Sequence, residues 1–465
     1  MKNKMIKAIV KRSPKFSLAC ITVLIAVSDR SGFAQDSKWL IGLAHVMITP
    51  DEPVRMSGYA SRTQSSQGVA SDLFAKALAI EDATGNRGLI ITSDVIGFSA
   101  AFAESTCQLI SAKTGLQRNQ ILLNSSHTHT GPTLGLKAED FDFEGEQLAA
   151  TIAYSRGLQG KLVDVGAESL SQLKPAKLSW GVGVATFAMN RREFTPNGVI
   201  LGFNPRGHVD RSVPILRIDS PEGELRGVLF GAACHNTTPG SNTLQISSDF
   251  AGYAQQIIER THPGAQAMFM QGCAGDANPH PRGTEELSQL HGLTLGDEVM
   301  RVLKTKLQSV RAPLQTSLFN IDLPLQPPPS REALTQLASG SGSWRRFVMD
   351  KMLKTLDAGK ELPKHYSTSF AIWQFGQDLT LVGLPGEVVV DYVSMLEERL
   401  GQQRLWIAAY CNDVFGYLPS ARVLKEGGYE TRGLYSGGVG FFSPQAQDVV
   451  VAKIGEEADR LGRKP

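Results

Sequence analysis

The sequence predicts an α/β fold: one large domain of mixed sheet and helices, with its functional loops at strand carboxyl ends. Short apolar runs alternate with segments carrying apolar residues every three to four positions along most of the chain, as strands interleaved with helices do. Hydrophobic residues are 42% of the 465, enough for an extensive core, and the charged and aromatic shares are not those of a disordered chain. The most polar clusters follow directly on apolar runs, where α/β proteins place their sites.

The elements are predicted in this order. Unbroken apolar runs mark strands at Lys76–Ile80, Gly88–Ile91 and Gln120–Leu123, with a helix of 3–4 periodicity at Ala101–Lys113 between the last two. Strands at Leu178–Val184, Val213–Ile218 and Leu225–Ala233 follow. Ser248–Arg260 reads as a helix with Ser248 as N-cap and Asp249 at its positive end. A strand at Ala267–Met270, a helix at Glu285–Lys304 and a strand at Ser317–Leu323 come next. Residues 325–365, with Pro-Pro-Pro and Ser-Gly-Ser-Gly-Ser, carry a weaker pattern and read as an insertion. Ser369–Phe375 and Leu379–Val382 are strands, Val388–Leu400 a helix and Leu405–Ala409 the last strand.

The formal net charge of +2 mixes two pieces of chain. Residues 1–34 hold seven Lys+Arg and one acid, an apolar run from Leu18 to Val27, and small residues ending at Ala34. That order is a secretory signal peptide, and the run is too short for a mature spanning helix. An uncut N-terminal anchor is the alternative. The division expected is 1–34 signal peptide and 35–465 one domain, exported to a periplasm or beyond the cell. The remaining 431 residues carry 40 Lys+Arg against 44 Asp+Glu, a charge of −4. Such a balance argues against nucleic acid as a partner. It also gives no bulk attraction to anionic membranes, so any peripheral membrane contact needs an apolar rim. Cys107, Cys234, Cys273 and Cys411 lack CxxC spacing and read as buried small hydrophobes, with a disulfide among the last three as the alternative.

Five apolar strands run into polar loops: His127-Thr-His129-Thr-Gly-Pro, His235-Asn-Thr-Thr, Gly-Asp276-Ala-Asn278-Pro, Pro-Gly-Glu387, and Tyr-Cys-Asn-Asp413 leading to Tyr417. His127 and His129 are two apart, so in extended backbone both imidazoles face one cavity. Three His or carboxylate groups with an open position are what a catalytic zinc requires, and such a metal suits hydrolysis of an amide or ester. Each residue also has a plainer reading, as a satisfied core histidine or, for Glu387, a charge at a helix N-terminus. Arg191 or Arg192, Tyr417 and Tyr429 are the candidate donors to a developing oxyanion.

In their order, these pieces resemble the neutral/alkaline (non-lysosomal) ceramidase family. His-Thr-His-Thr-Gly-Pro132 is similar to that family's His-Thr-His-Ser/Thr-Gly-Pro, and Met56-Ser-Gly-Tyr-Ala60 to its Met-x-Gly-Tyr-Ala. Asn190-Arg191, His235, Ala274-Gly-Asp276, Pro385-Gly-Glu387, Tyr417 and Tyr429-Glu430 follow in the expected succession, from about residue 40 to about 445. The resemblance implies zinc held by His127, His235, Glu387 and Tyr417, with His129 as general base and acid. It further implies that Arg191 and Tyr429 act on the substrate carbonyl and that Asp276 and Asn278 lie on the substrate side. The implied activity is cleavage of an N-acyl bond in ceramide or a related N-acyl lipid.

The departures bear on mechanism. The family pattern Gly-Asp-x-Ser-Pro-Asn is here Gly275-Asp276-Ala277-Asn278-Pro279-His280. An amide at 278 cannot accept an acyl group, so a serine route is set aside while attack by water stands. Met47 stands where the family tends to have Asp, and the chain leaves no room for the family's C-terminal β-sandwich domain. From another class, the alternative is a non-catalytic zinc-containing ligand-binding protein of the same fold. A two-metal phosphoesterase would need more bridging carboxylates.

Overall fold

In the computed structural model, which describes residues 39–339, 343–435 and 440–464, every predicted strand and helix is present, though some bounds move. The signal at 1–34 lies outside the described residues. The first stretch runs β1 (Trp39–Met47), β2 (Gly68–Val69), β3 (Phe74–Glu81), β4 (Arg87–Ser93), α1 (Ala100–Thr114) and β5 (Ile121–Ser125). Then come α2 (Gly145–Ser171), β6 (Lys174–Val184), β7 (Ala188–Thr195), β8 (Gly198–Asn204), β9 (Ser212–Asp219) and β10 (Leu225–Ala232). β11 (Gln245–Ile246), α3 (Asp249–Thr261), β12 (Gln266–Gln271), β13 (Ala277–Pro279), α4 (Glu285–Leu303) and β14 (Gln308–Val310) follow. The remainder is β15 (Leu314–Pro324), α5 (Arg331–Ser339), α6 (Ser343–Asp357), β16 (His365–Phe375), β17 (Leu379–Gly383) and β18 (Glu387–Val388). It closes with α7 (Asp391–Leu400), β19 (Leu405–Ala408), β20 (Tyr417–Leu418), α8 (Ala421–Glu426) and α9 (Gln445–Arg460).

Two sheets form the frame. The larger has the order β12-β10-β9-β6-β1-β3-β4-β5, with β14 on β6, and the smaller is β15-β16-β17-β19. Both are mixed: β10–β12, β4–β5 and β17–β19 pair in parallel, the rest antiparallel. Their inner faces share one core, in which Trp39, Leu78, Leu122, Leu229 and Met268 meet Trp373, Phe375, Leu381 and Trp406. β16 shows the strand period directly, with Trp373 and Phe375 inward and Phe370 and Ile372 outward among α7 and α9 residues. Outside the larger sheet, α1 and α2 cover Ala75, Ala77, Leu89 and Ile91, while α3 and α4 cover Val213, Val228 and Phe269. The layers are therefore helix, sheet, sheet, helix, and most strands are buried on both faces, which is why they read as continuous apolar runs.

Some expectations shift. Ser248 does precede α3, but its hydroxyl bonds Ser71 rather than the helix, and the Asp249 carboxylate takes the Thr238 and Phe250 N–H groups instead. The helix predicted from Val388 begins at Asp391, because Glu387 and Val388 pair with Tyr417 and Leu418. The stretch read as a weakly patterned insertion carries α5 and α6 with their own small core of Leu334, Met349 and Met352. Among the described residues, Cys107, Cys234, Cys273 and Cys411 are all buried and free. Among the described residues no helix is long and apolar enough to cross a membrane.

Candidate metal centre and active site

The carboxyl ends of β5, β10 and β17 converge. His127 follows β5 in left-handed backbone (φ 63°), a conformation unfavourable for a branched side chain and held here by its N–H donating to the Val95 carbonyl. His129, two residues on, donates its N–H to Asn236 in the loop after β10, which fastens the His127 loop to the His235 loop. Glu387 reaches the same point through β18, whose parallel register sets Glu387 beside Tyr417 of β20. Three nitrogens, one each from His127, His129 and His235, lie within 4.8 Å of one another.

The hydrogen bonds fix most of the chemistry. His127 Nδ1 lies 2.5 Å from the Ile96 carbonyl and His235 Nδ1 2.6 Å from that of Ala274. A carbonyl only accepts, so both Nδ1 atoms carry hydrogen and both Nε2 atoms present lone pairs. Those Nε2 atoms stand 3.2 and 3.0 Å from the same oxygen, Glu387 Oε2, and His129 Nε2 stands 3.1 Å from His127 Nε2. Burial and the neighbouring Arg191 push His235 down to about 4. His129 is held well below the usual range by burial and the two other imidazoles. Although burial acts against it, the adjacent imidazoles hold the Glu387 carboxyl well below the ordinary carboxylate range. Two imidazole Nε2 atoms thus converge on one buried carboxylate oxygen. This donor set could hold a divalent cation.

His129 differs from the other two imidazoles. Its Nδ1 has no hydrogen-bond partner, so no backbone carbonyl fixes its tautomer as one does for the other two. Its ring rests edge-on against Tyr59 at 5.1 Å, and an added β-carbon at Gly58 would strike it at 2.5 Å. Arg62 donates to the carbonyls of both Ser57 and His129. The Met56–Ala60 motif is therefore the floor beneath His129.

Arg191 lies on the bulge of β7, where the pairing with β8 slips between Asn190 and Arg192, and a bulge re-aims a side chain. Its guanidinium donates to Glu430 (3.0 Å), Tyr417 (3.0 Å) and Asn278 (3.4 Å) and stands 3.2 Å from His235 Nε2. Tyr417 and Glu430 keep it charged, well above its ordinary value although burial opposes this. Arg192 turns instead to Glu430 (2.5 Å), Glu426 (3.1 Å) and the Gly427 carbonyl, away from the imidazoles. Burial raises the Tyr417 phenol well above its ordinary value, with Arg191 pulling the other way. Tyr429 lies in a 3₁₀ turn with its ring 5.5 Å from that of Tyr417 and the Arg432 guanidinium 4.4 Å from its face.

Two residues expected on the substrate side have partners in the protein. Asp276 accepts from the Val390 N–H (2.9 Å) and Asn190 Nδ2 (3.2 Å), bracing β7 against the Glu387 loop. Asn278 Oδ1 accepts from Arg191 and Thr237, both at 3.4 Å. Asp413 is carried elsewhere, accepting from Tyr366 and Thr368. Reasoning from sequence missed Tyr435, whose hydroxyl donates to Glu387 Oε1, and Tyr410, whose buried ring packs 4.5 Å from His127. An isolated tyrosine carries no local signal of either contact. Two surface cavities, of about 570 and 320 Å³, are walled by Trp180, Gln402 and Leu405 and touch none of the candidate residues.

A family model described as neutral/alkaline non-lysosomal ceramidase, N-terminal, matches residues 39–291. The neutral ceramidase of Pseudomonas aeruginosa is 26% identical over 277 residues, 57% of this chain and 40% of that protein. That of Drosophila pseudoobscura pseudoobscura is 23% identical over 283 residues, 56% of this chain and 38% of the relative. The matches thus span about two fifths of the length of these relatives. The crystal structure of neutral ceramidase from Pseudomonas aeruginosa superposes with a TM-score of 0.68 at 20% identity, covering 92% of this chain and 76% of that one. With the matched segment taking in the His127 and His235 loops and the fold shared across both sheets, this chain belongs to the neutral/alkaline non-lysosomal ceramidase family.

Proposed function

We propose that the chain is an exported zinc-dependent amidohydrolase that cleaves the N-acyl bond of ceramide or a related N-acyl lipid, releasing fatty acid and amine. The observation that carries this reading is the cluster of imidazole lone pairs on one buried carboxylate oxygen, with tautomers fixed by backbone carbonyls. His127, His235 and Glu387 would hold the zinc, with Tyr417, the cross-strand neighbour of Glu387, as fourth ligand. The zinc would supply Lewis acidity for the amide carbonyl and for the attacking water.

The chain's own groups do the rest. His129, neutral and with its Nδ1 unpartnered, takes the water's proton and returns it to the leaving nitrogen. Arg191, fixed by Glu430 and Tyr417, presents a preorganised positive charge to the oxyanion, and Tyr429 beside it adds a phenolic donor. The Asn278 amide nitrogen donates to no acceptor among the described residues and orients the substrate carbonyl; its Oδ1 steadies Arg191. Water, and not a serine, is the nucleophile.

The test is metal content together with fatty-acid release from N-acyl substrates, for wild type, His127→Ala and His235→Ala. Stoichiometric zinc and turnover in wild type, with both lost in the two variants, is the expected result. A folded wild type without metal refutes it, and zinc with no turnover across amides and esters indicates a binding protein.

A further inference from the structure

Strand β8 buries neither of its faces. Ile200, Leu201 and Phe203 are 49, 47 and 44% exposed, and Phe194, which pairs with Val199 from β7, is 59% exposed. Successive strand residues face opposite sides, so Ile200 and Leu201 offer apolar surface on both sides of one hairpin. β8 is also the edge of the sheet β13-β7-β8. A contiguous apolar edge of this kind in a water-exposed protein marks a surface that meets something apolar.

The hairpin is continuous with the site. β7 carries Arg191, β13 carries Asn278, and Phe203 packs its ring 4.5 Å from His280, the residue after β13. Val199 of β8 lies against Gly428, directly before Tyr429. Cations border the apolar edge: Arg206 follows β8, and Lys425 and Arg432 flank the Gly427–Tyr429 turn, all exposed. Among the described residues none of the three forms an ion pair. The acid within the hairpin, Glu193 opposite Ile200, accepts the Phe203 N–H, and an apolar projection with these cations beside it fits an anionic lipid surface, with side chains in the acyl boundary and the cations at headgroup level.

We propose that the β7–β8 hairpin docks the protein on an anionic membrane and brings the Arg191 and Tyr429 side of the site to the lipid. The proposal rests on the reading of the substrate as a membrane lipid. It also supplies the apolar rim that a chain with an acidic balance needs, since overall charge does not draw it to such a surface.

The experiment is co-sedimentation of the full chain with phosphatidylcholine vesicles containing phosphatidylglycerol, for wild type, Phe194→Ser/Ile200→Ser and Leu201→Ser/Phe203→Ser. Wild type is expected to bind, and each double variant to need at least about tenfold more lipid for half-binding. Turnover of a soluble short-acyl amide stays unchanged in the variants while turnover of vesicle-held long-acyl substrate falls. Should a serine variant fold poorly, Ile200→Trp keeps the apolar surface, and its fluorescence is expected to shift to the blue on adding vesicles. Wild type that ignores vesicles overturns the proposal, as does equal binding by the variants or loss of self-association rather than of lipid binding. Binding by a wild type that hydrolyses nothing leaves the docking surface standing and removes the proposed activity instead.

Discussion

Gly58→Ala separates the part assigned to His129 from that of the metal ligands. Gly58 has φ +94°, and an added β-carbon would stand 2.5 Å from Cγ and Nδ1 of the His129 ring. Ordinary contact begins at 3.4 Å, so the ring must retreat by about 0.9 Å. It cannot carry its backbone along, because its N–H is tied to Asn236 and its carbonyl to Arg62. A displacement near 1 Å costs on the order of 10²-fold in rate, about 2.7 kcal/mol of barrier. Alanine in left-handed backbone costs a further 1–2 kcal/mol or so of stability. The assay is kcat for a soluble N-acyl amide, alongside zinc content and thermal unfolding. The expected result is a kcat lowered about a hundredfold, wild-type zinc and a slightly lower Tm. A rate within about twofold of wild type would refute the role of His129 as base. Loss of zinc along with activity would make His129 a ligand.

Other substitutions probe the surroundings. Tyr435→Phe removes the hydroxyl that donates to Glu387 Oε1; zinc affinity by chelator competition should fall about 10- to 100-fold with the fold intact. Glu430 holds both Arg191 and Arg192 while buried, so Glu430→Gln should cost about 3–5 kcal/mol in urea unfolding. Asp413 is buried and, by desolvation, raised to about 6. Its folded state therefore favours the proton more than the unfolded chain does. Its unfavourable contribution is absent below about pH 4, grows as pH rises through 6, and reaches about 3 kcal/mol. Asp413→Asn should match or exceed wild-type stability at pH 8 and lose that advantage near pH 4.

Most strands of the two-sheet frame were legible because they are buried on both faces, leaving unbroken apolar runs; β1, buried less evenly, and the short β14 were not. Helix α2 was not, since its buried side is made of Thr151, Ser155, Gly166 and Ser169 as well as leucines and valines, and small or polar residues hide the period on which a helix is read. The hairpin β7–β8 was missed for the opposite reason: Asn190-Arg191-Arg192-Glu193 looks like surface, yet both arginines are buried by Glu430, some 240 residues away. Of the site, His127, His235 and Glu387 were marked by their place after apolar strands, and their grouping rested on the order of several motifs. Tyr435 and the floor formed by Gly58 and Tyr59 depend on contacts across the fold. No local pattern encodes them, although the Met56–Ala60 motif itself was visible.

The replacement at position 278 then has a physical reading that the residue list alone does not supply. The Asn278 Oδ1, one bond further from the backbone than a serine hydroxyl, accepts from both Arg191 and Thr237. The longer side chain turns a position that could carry a nucleophile into one that helps aim a guanidinium. Arg191 is thereby directed by Glu430 on one edge, Tyr417 on another and Asn278 on a third. A planar cation anchored at several edges has little freedom left to lose when charge develops on a carbonyl oxygen, which is the condition for strong electrostatic stabilisation. The substitution that weighs against covalent catalysis therefore strengthens the case for direct attack by water at a rigid, positively charged site.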